Sequence, residues 1–349
     1  MNLFIVESPF QLLSAVEVNN YFGNEKNILI IKYSPEKLAE SNNQQLRLLK
    51  NYINWENIYE IDNSLSYFIS NLKLLLFIKT IQKELAKDNI DKIFIGEYRS
   101  WYMRQYFNIL NPKKCFSLDD GNITIELAKS YIPTGKEYKF PKTYKSIIKN
   151  IINNFLLLLL FYRVPKKRID IDLFTCFDVK QFLEKDRYIE HSFEYLKEKN
   201  KMKDILENTV YFFGGNLSEL DLISEQEEIK LLKSIFYYFN NKNIKMVYLP
   251  HRRESSKKLE FIKNSFGIEL RYSKYPAEIE FTLMKEIPQY LASIVSTALH
   301  TVSKIVSFDE TIAFQLPLNK INKIYLEDIV TTYEEYKKTM KVIDLNDIN

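Results

Sequence analysis

Residues 27–33 read NILIIKY. A continuous β-rich apolar run of this length marks a strand covered on both faces. Such a strand belongs to a parallel sheet with helices on either side. The flanking segments repeat the theme. Upstream, LFIVES (3–8) is a strand, and FQLLSAVEVNNYF (10–22) spaces Leu12, Leu13, Val16 and Phe22 as a helix does. Downstream, Ser34 and Pro35 offer a cap and a first-turn proline for a helix. NIYEID (57–62) is a strand and 65–87 a long helix. KIFIGEY (92–98) and KCFSLDD (114–120) are strands on either side of the helix WYMRQYFNIL (101–110).

The alternation restarts after the basic, proline-containing RVPKKR (163–168). Strands are expected at DLFTCF (172–177), TVYFFGG (209–215), KMVYLPH (245–251), IELRYS (268–273), KIVSFD (304–309) and NKIYLED (322–328). SEQE (224–227) spells a capping box that opens a helix. Two successive βα series predict an α/β protein with two Rossmann-like domains, 1–165 and 166–349. The last helix is a candidate to pack back on the first domain. In open parallel sheets ligands bind beyond the carboxyl ends of the strands, so two such domains facing each other would form a cleft.

A chain of 349 residues suits two domains. Its net charge of +4, without a basic block interleaved with stacking aromatics, gives no indication of nucleic acid. Cys115 and Cys176 lie in separate strand candidates and read as buried thiols in a reducing compartment. MNLFIVESPF lacks the basic start of a secretory signal. These features predict a cytoplasmic protein. FLLLLLFY (155–162) falls short of the ~20 residues of a membrane span, yet it has basic flanks: Lys142, Lys145 and Lys149, then Arg163, Lys166, Lys167 and Arg168. A buried core helix with solvated ends is the expectation; a helix lying on an anionic membrane surface is the alternative.

Polar residues gather at the expected strand ends. The first half offers Glu7-Ser8-Pro9, then Glu97, Tyr98 and Arg99, then Asp119-Asp120-Gly121. The second half offers Gly214-Gly215-Asn216 and Pro250-His251-Arg252-Arg253. FSLDDGN (116–122) is open to two readings: an Asp-Gly surface turn, or an acid placed to take a proton. Acids in one half, with glycines and cations in the other, suit an anionic ligand held by the second domain and a nucleophile activated by the first.

The order of LDDG (118–121), a histidine after a central strand of the second half, and SIVSTALHT (293–301) resembles bacterial sialyltransferases of the GT-B fold. ESPFQLL (7–13) resembles the start of glycosyltransferase family 52 and of related polysialyltransferases, and YPAEIEFTLM (275–284) a segment that meets the nucleotide ribose. Here the histidine follows Pro250 rather than preceding a proline. The resemblance implies an inverting transferase that moves sialic acid from CMP-sialic acid to a hydroxyl of a lipooligosaccharide or capsule glycan. It implies Asp119 as the base, with Asp120 as its neighbour, and His251 as donor to the leaving phosphate. Ser296 and Thr297 would bind that phosphate at a helix start. Gly214, Gly215, Asn216, Glu278 and Glu280 would meet the nucleoside. Ser8, Glu97, Arg99 and Arg252 fall to the acceptor or sugar side.

Each residue has a plainer reading beside this one. Ser296 and Thr297 could only cap a helix, His251 and the two arginines could sit on a surface loop, and Glu278 and Glu280 could be a solvated first-turn pair. The Asp-x-Asp of DID (170–172) opens a strand at its amino end, where alternation explains it, so no metal or other cofactor is expected. The partners are a nucleotide-sugar donor and a glycan acceptor, without nucleic acid; contact with the inner membrane face and with a second copy stay open. The same fold acting on another CMP-activated acidic sugar such as Kdo is one alternative. A non-catalytic membrane-surface protein of capsule assembly is the other.

Overall fold

The computed structural model describes residues 1–23, 25–35, 40–62, 67–86, 89–121, 123–135, 144–168, 170–200 and 202–344. The chain divides into two compact units, Met1–His191 and Ser192–Asn349.

Unit 1 alternates strand and helix: β1 (Asn2–Val6), α1 (Pro9–Phe22), β2 (Asn27–Tyr33), α2 (Glu40–Leu49), β3 (Asn57–Asp62), α3 (Tyr67–Glu84), β4 (Lys92–Ile95), α4 (Trp101–Leu110), β5 (Lys114–Ser117), the short α5 (Ile123–Glu126), α6 (Tyr144–Phe161), β6 (Ile171–Thr175) and β7 (Tyr188–Glu190). Its sheet is parallel throughout, in the order β3-β2-β1-β4-β5-β6-β7. All five residues of β1 are buried, as a doubly covered strand requires. The register places Phe4, Phe94 and Phe116 side by side on one face, with rings stacked at 4.7 and 4.9 Å. Phe22 of α1 closes over Phe94 and Phe116 from above the sheet.

Unit 2 contains α7 (Glu194–Lys199), β8 (Asp204–Phe213), α8 (Glu225–Asn240), β9 (Lys245–Leu249), α9 (Ser256–Phe266), β10 (Glu269–Leu270), α10 (Ala277–Leu283), β11 (Glu286–Ser293), α11 (Thr297–Ile305), β12 (Glu310–Gln315), α12 (Leu326–Tyr336) and β13 (Lys341–Asp344). These strands are also parallel, in the order β10-β9-β8-β11-β12-β13. Ser224 caps α8 through its hydroxyl, as the SEQE spelling predicts. Two parallel α/β units in tandem are the architecture that GT-B denotes.

The unit boundary differs from the expected 165/166. β6, taken as the first strand of the second series, pairs with β5, and β7 extends the first sheet. The basic stretch before β6 is anchored rather than a linker. Arg168 donates from its backbone to Asn108, and from its guanidinium to Asn111 and the Pro112 carbonyl, which feeds the chain in beside β5. In unit 2, KIVSFD (304–309) and NKIYLED (322–328) are not strands. α11 runs to Ile305, the strand follows at 310–315, and α12 starts at Leu326. β11 was hidden by Pro288, and the register shift between Pro288 and Tyr290 accommodates that proline.

The helix containing FLLLLLFY also departs from expectation. It reaches back to Tyr144, and only Asn153, Leu156 and Leu157 are buried. By length and composition it is long and apolar enough to cross a membrane. The helix expected to open at Ser34–Pro35 falls on 36–39, outside the described residues, as do Asn122 and Lys142.

Candidate functional site

Both sheets reverse strand order at one place, between β1 and β4 in unit 1 and between β8 and β11 in unit 2. Crevices at such reversals, at the carboxyl ends of the strands, are where open α/β sheets bind ligands. The polar residues of each unit collect there.

In unit 1, Ser8 follows β1 and caps α1, accepting from the Gln11 N–H at 3.3 Å. Gln11 is buried yet bonded at both ends of its amide. Its Oε1 accepts from the Glu7 N–H at 2.8 Å, and its Nε2 donates to Asp120 Oδ1 at 2.8 Å. Gly96, after β4, makes room for this side chain: a Cβ there would lie 2.1 Å from Gln11 Oε1. Glu97 accepts from the Arg99 N–H at 2.8 Å and from its guanidinium at 2.9 and 2.5 Å. The same guanidinium lies 3.6 Å from Asp120 Oδ2. Lys32 of β2 pairs with Glu7 at the edge of the group.

Asp120 and Glu97 also face each other through a hydrogen bond, which needs a proton between them. Glu97 is held below the usual range: burial opposes its ionisation, but the bonds from Arg99 outweigh that penalty. Asp120 is pushed up to about 8, first by burial and then by the charge of Glu97 and their shared bond. Asp120 is thus the protonated member of the pair at neutral pH and becomes a carboxylate just above it.

Asp119 does not join this group, contrary to its expected role. It is 0% exposed and accepts from Thr175 Oγ1 at 2.6 Å and from the Cys176 N–H at 2.7 Å. His191 Nε2 lies 3.4 Å from its Oδ2. It ties the end of β5 to the end of β6 inside the unit, where an acceptor hydroxyl does not reach. The Asp-Gly turn exists as well, with Gly121 at φ 72°, and of the two aspartates only Asp120 lies with the polar group at the strand ends. Asp119, Cys176 and His191 also offer three buried ligand atoms within 4.8 Å of one another. Their positions in sequence gave no hint of this.

In unit 2, Gly214, Gly215 and Asn216 follow β8, His251 follows β9, and Ser296 and Thr297 follow β11. β9, β8 and β11 are adjacent, so the sheet brings all these residues to one edge. Ser296 stands at the N-cap of α11 with extended backbone, but its hydroxyl makes no capping bond. Its backbone is fixed instead by Tyr336 of α12, whose hydroxyl accepts from the Ser296 N–H at 3.0 Å and donates to its carbonyl at 2.7 Å. The start of α11 therefore combines a positive helix end with a Ser296 hydroxyl that is not used as a cap.

His251 Nδ1 accepts from the Arg253 N–H at 3.2 Å, which puts the ring proton on Nε2. Burial, then Arg252, Arg253 and Lys258, push the imidazole down to about 4. At neutral pH it is a neutral hydrogen-bond donor, and a bound anion opposite it would reverse part of that shift.

A buried network that the sequence did not reveal lies beneath these loops. Lys258, 1% exposed, donates to the Gly215 carbonyl at 2.8 Å, to Glu228 at 2.8 Å and to Glu219 at 3.0 Å, and lies 3.2 Å from Glu254. Glu254 accepts from Tyr248 Oη at 2.7 Å and the His251 N–H at 2.6 Å. A Cβ at Gly214 would meet Glu254 and the Tyr248 hydroxyl at 2.4 and 2.5 Å. Only glycine lets the β8 loop approach, and the network fixes the glycine and histidine loops together.

The expected nucleoside residues separate. Glu278 is buried, its carboxyl raised by burial and bonded to Thr301 Oγ1 of α11, so it joins α10 to α11 instead of facing a ligand. Glu280 is half-buried and accepts from the Tyr275 N–H at 3.3 Å. Arg252 and Arg253 are exposed beside His251.

No family model matches the sequence, and no curated protein does. Solved structures match across nearly the whole chain. One, from Listeria monocytogenes and described as a UDP-N-acetylglucosamine 2-epimerase, is 7% identical with TM-score 0.50, covering 97% of this chain and 88% of that one. The UDP-GlcNAc 2-epimerase of Neisseria meningitidis, bound to UDP-GlcNAc, is 10% identical with TM-score 0.50, covering 98% and 94%. A 2,6-sialyltransferase of a Photobacterium species, solved with CMP and lactose, is 11% identical with TM-score 0.49, covering 99% and 78%. At such identities the likeness to the first two shows the fold: two Rossmann-like α/β units in tandem.

Proposed function

We propose that this chain is an inverting glycosyltransferase that moves sialic acid from CMP-sialic acid to a hydroxyl of a bacterial surface glycan. The observation that carries the transferase part is the start of α11. Its hydroxyl makes no capping bond, and it sits on the same sheet edge as the glycine pair and a histidine held as an Nε2–H donor. That set suits a nucleotide phosphate whose negative charge grows as the sugar leaves. The choice of CMP and sialic acid rests on the motif order, from LDDG to SIVSTALHT.

In the reaction the acceptor oxygen bonds to the anomeric carbon while the bond from that carbon to the phosphate oxygen breaks. The hydroxyl proton goes to Asp120 in its ionised form, which it reaches just above neutral pH, so transfer rises as pH passes through about 8, and the electron pair leaves with CMP. Asp120 replaces Asp119 as base because it is the acid at the crevice and its affinity for a proton is raised, to about 8. Gln11 and Arg99 hold it in place. His251, Arg252 and the α11 N-terminus take the phosphate charge, so no metal is required.

The test is incubation with CMP-sialic acid, CMP-Kdo or UDP-GlcNAc and a panel of galactosides in excess EDTA, read by mass spectrometry. A product heavier by one sialic acid, formed from CMP-sialic acid and surviving EDTA, is the expected result. Turnover of UDP-GlcNAc, or absence of CMP binding by calorimetry, overturns it.

A further inference from the structure

α3 and α6 pack side by side on unit 1 with their chains running in the same direction. Lys149 lies over the Tyr67 ring at 4.8 Å, Asn71 donates to Asn153 at 2.7 Å, and Lys79 donates to the Leu160 carbonyl at 2.7 Å. Their outer faces are apolar. On α6, Ile147, Ile148, Ile151, Phe155, Leu158 and Leu159 are exposed at helical spacing, Ile151 by 62%. On α3, Phe68, Ile69 and Leu76 continue the face. An apolar surface of this extent on a water-facing helix pair marks a contact with something else.

The charges beside it say what. Residues 144–168 contain no aspartate or glutamate, and α3 has one, its last residue Glu84, which accepts from Tyr59 at 2.7 Å. They do contain Lys73, Lys83, Lys145, Lys149, Lys166 and Lys167, all exposed. At the carboxyl end of α6 a pocket of about 220 Å³ is lined by Lys79, Gln82, Tyr162, Arg163 and Pro165, among others. Two cations in a pocket at the end of an apolar stripe suit an anionic headgroup whose acyl chains lie along the stripe. A second copy of the chain would set these cations against their own kind, which disfavours a self-contact.

We infer that unit 1 docks on an anionic phospholipid surface through the α3/α6 face, with α6 lying in the interface. α6 does not cross the bilayer in this arrangement. Crossing would strip Asn153 from Asn71 and Tyr67 and pull Leu156 and Leu157 out of the core. Its 18 residues span about 27 Å, which would leave Asn153 near the hydrocarbon midplane. The inference is independent of the transferase assignment.

The test is flotation of the full chain with vesicles of phosphatidylcholine alone or with about one third phosphatidylglycerol. Binding to the anionic vesicles at least tenfold above the neutral ones, weakened by 0.5 M salt, is expected. Ile151→Glu with Phe155→Glu changes only exposed side chains and should abolish binding with the thermal transition unchanged. Lys145→Gln with Lys149→Gln should weaken binding severalfold while leaving the apolar face intact. Equal or no flotation with both vesicles overturns the inference. So does a dimer in sedimentation that Ile151→Glu with Phe155→Glu dissociates, which would assign the face to a second copy.

Discussion

The two aspartates of LDDG should respond in opposite ways to the same substitution. Asp120→Asn imitates the acid's protonated state: its amide oxygen still accepts from Gln11 Nε2, and its NH2 can donate to Glu97 where the shared proton stood. In the wild type this group goes from an ordinary 3.8 to about 8 on folding. A carboxyl raised in this way costs nothing below about pH 4, where both states are protonated. The cost grows as pH climbs toward 8, because only the unfolded chain releases the proton freely. At pH 7 the shift of Asp120 alone sets an upper bound of about 4 kcal/mol. The lowered Glu97 returns part of it, so a net gain of about 1–2 kcal/mol is expected for the variant. That raises the transition of unit 1 by roughly 2–8 °C at pH 7 and by nothing at pH 4. Transfer should fall on the order of a hundredfold or more, with CMP affinity unchanged.

Asp119→Asn instead sets an amide NH2 against one of two donors, Thr175 Oγ1 or the Cys176 N–H, in a fully buried site. A buried donor left facing a donor costs on the order of 2–3 kcal/mol, so the transition falls by several degrees while the folded fraction keeps its transfer rate. Calorimetry across pH 4–8 and initial rates on the same samples check both. An Asp120→Asn protein that transfers normally, or melts lower at pH 7, refutes the reasoning. An Asp119→Asn protein that melts normally and fails to transfer restores the first aspartate as base.

Ser296→Ala with Thr297→Val should weaken CMP binding about ten- to a hundredfold by calorimetry, since hydrogen bonds to a charged phosphate are lost. Gly96→Ala drives a methyl into Gln11 and should cripple transfer while CMP affinity in unit 2 is unchanged; equal transfer rates would remove Gln11 from the machinery. Lys258→Met strands Glu219, Glu228 and Glu254 around an apolar tip and should cost about 3–5 kcal/mol. That loss should shrink on acidification as Glu254, already raised by burial, takes up a proton, measured as denaturation midpoints against pH.

Much of the architecture was legible because doubly covered strands announce themselves. NILIIKY, LFIVES and KIFIGEY are apolar without alternation, and the carboxyl ends of LFIVES, KIFIGEY and KCFSLDD point to Ser8, Glu97, Arg99 and the Asp119-Asp120 pair as one group. The same property hid the roles of the two aspartates. Where both faces are covered, inside and outside do not alternate: Cys115 to Asp119 are all buried, and the chain meets solvent only at Asp120. What makes a buried Asp119 tolerable is Thr175, Cys176 and His191, brought in by β6, which local pattern assigns to the other unit, and by β7, which it does not show. The Lys258 network was invisible for a related reason. Its carboxylates come from α8 and the loops after β8 and β9, and each reads locally as a solvated charge.

The proposed transferase gives those networks a use that a membrane-coating scaffold does not. A protein that only coats a membrane needs the α3/α6 face and a stable core. It has no use for a carboxyl forced to hold its proton at neutral pH beside a second acid, and most substitutions there would stabilise it. Unit 1 keeps that pair at its strand reversal, with Gln11 locked against Gly96 to aim it. Unit 2 keeps a histidine stripped of its proton by burial and two arginines, on loops pinned by a buried lysine. Perturbed groups at the strand ends of each unit are what the proposed proton transfer and phosphate departure would call on. Taken with that proposal, the inferred lipid face would hold unit 1 at the membrane in which an acceptor glycan of that kind is anchored.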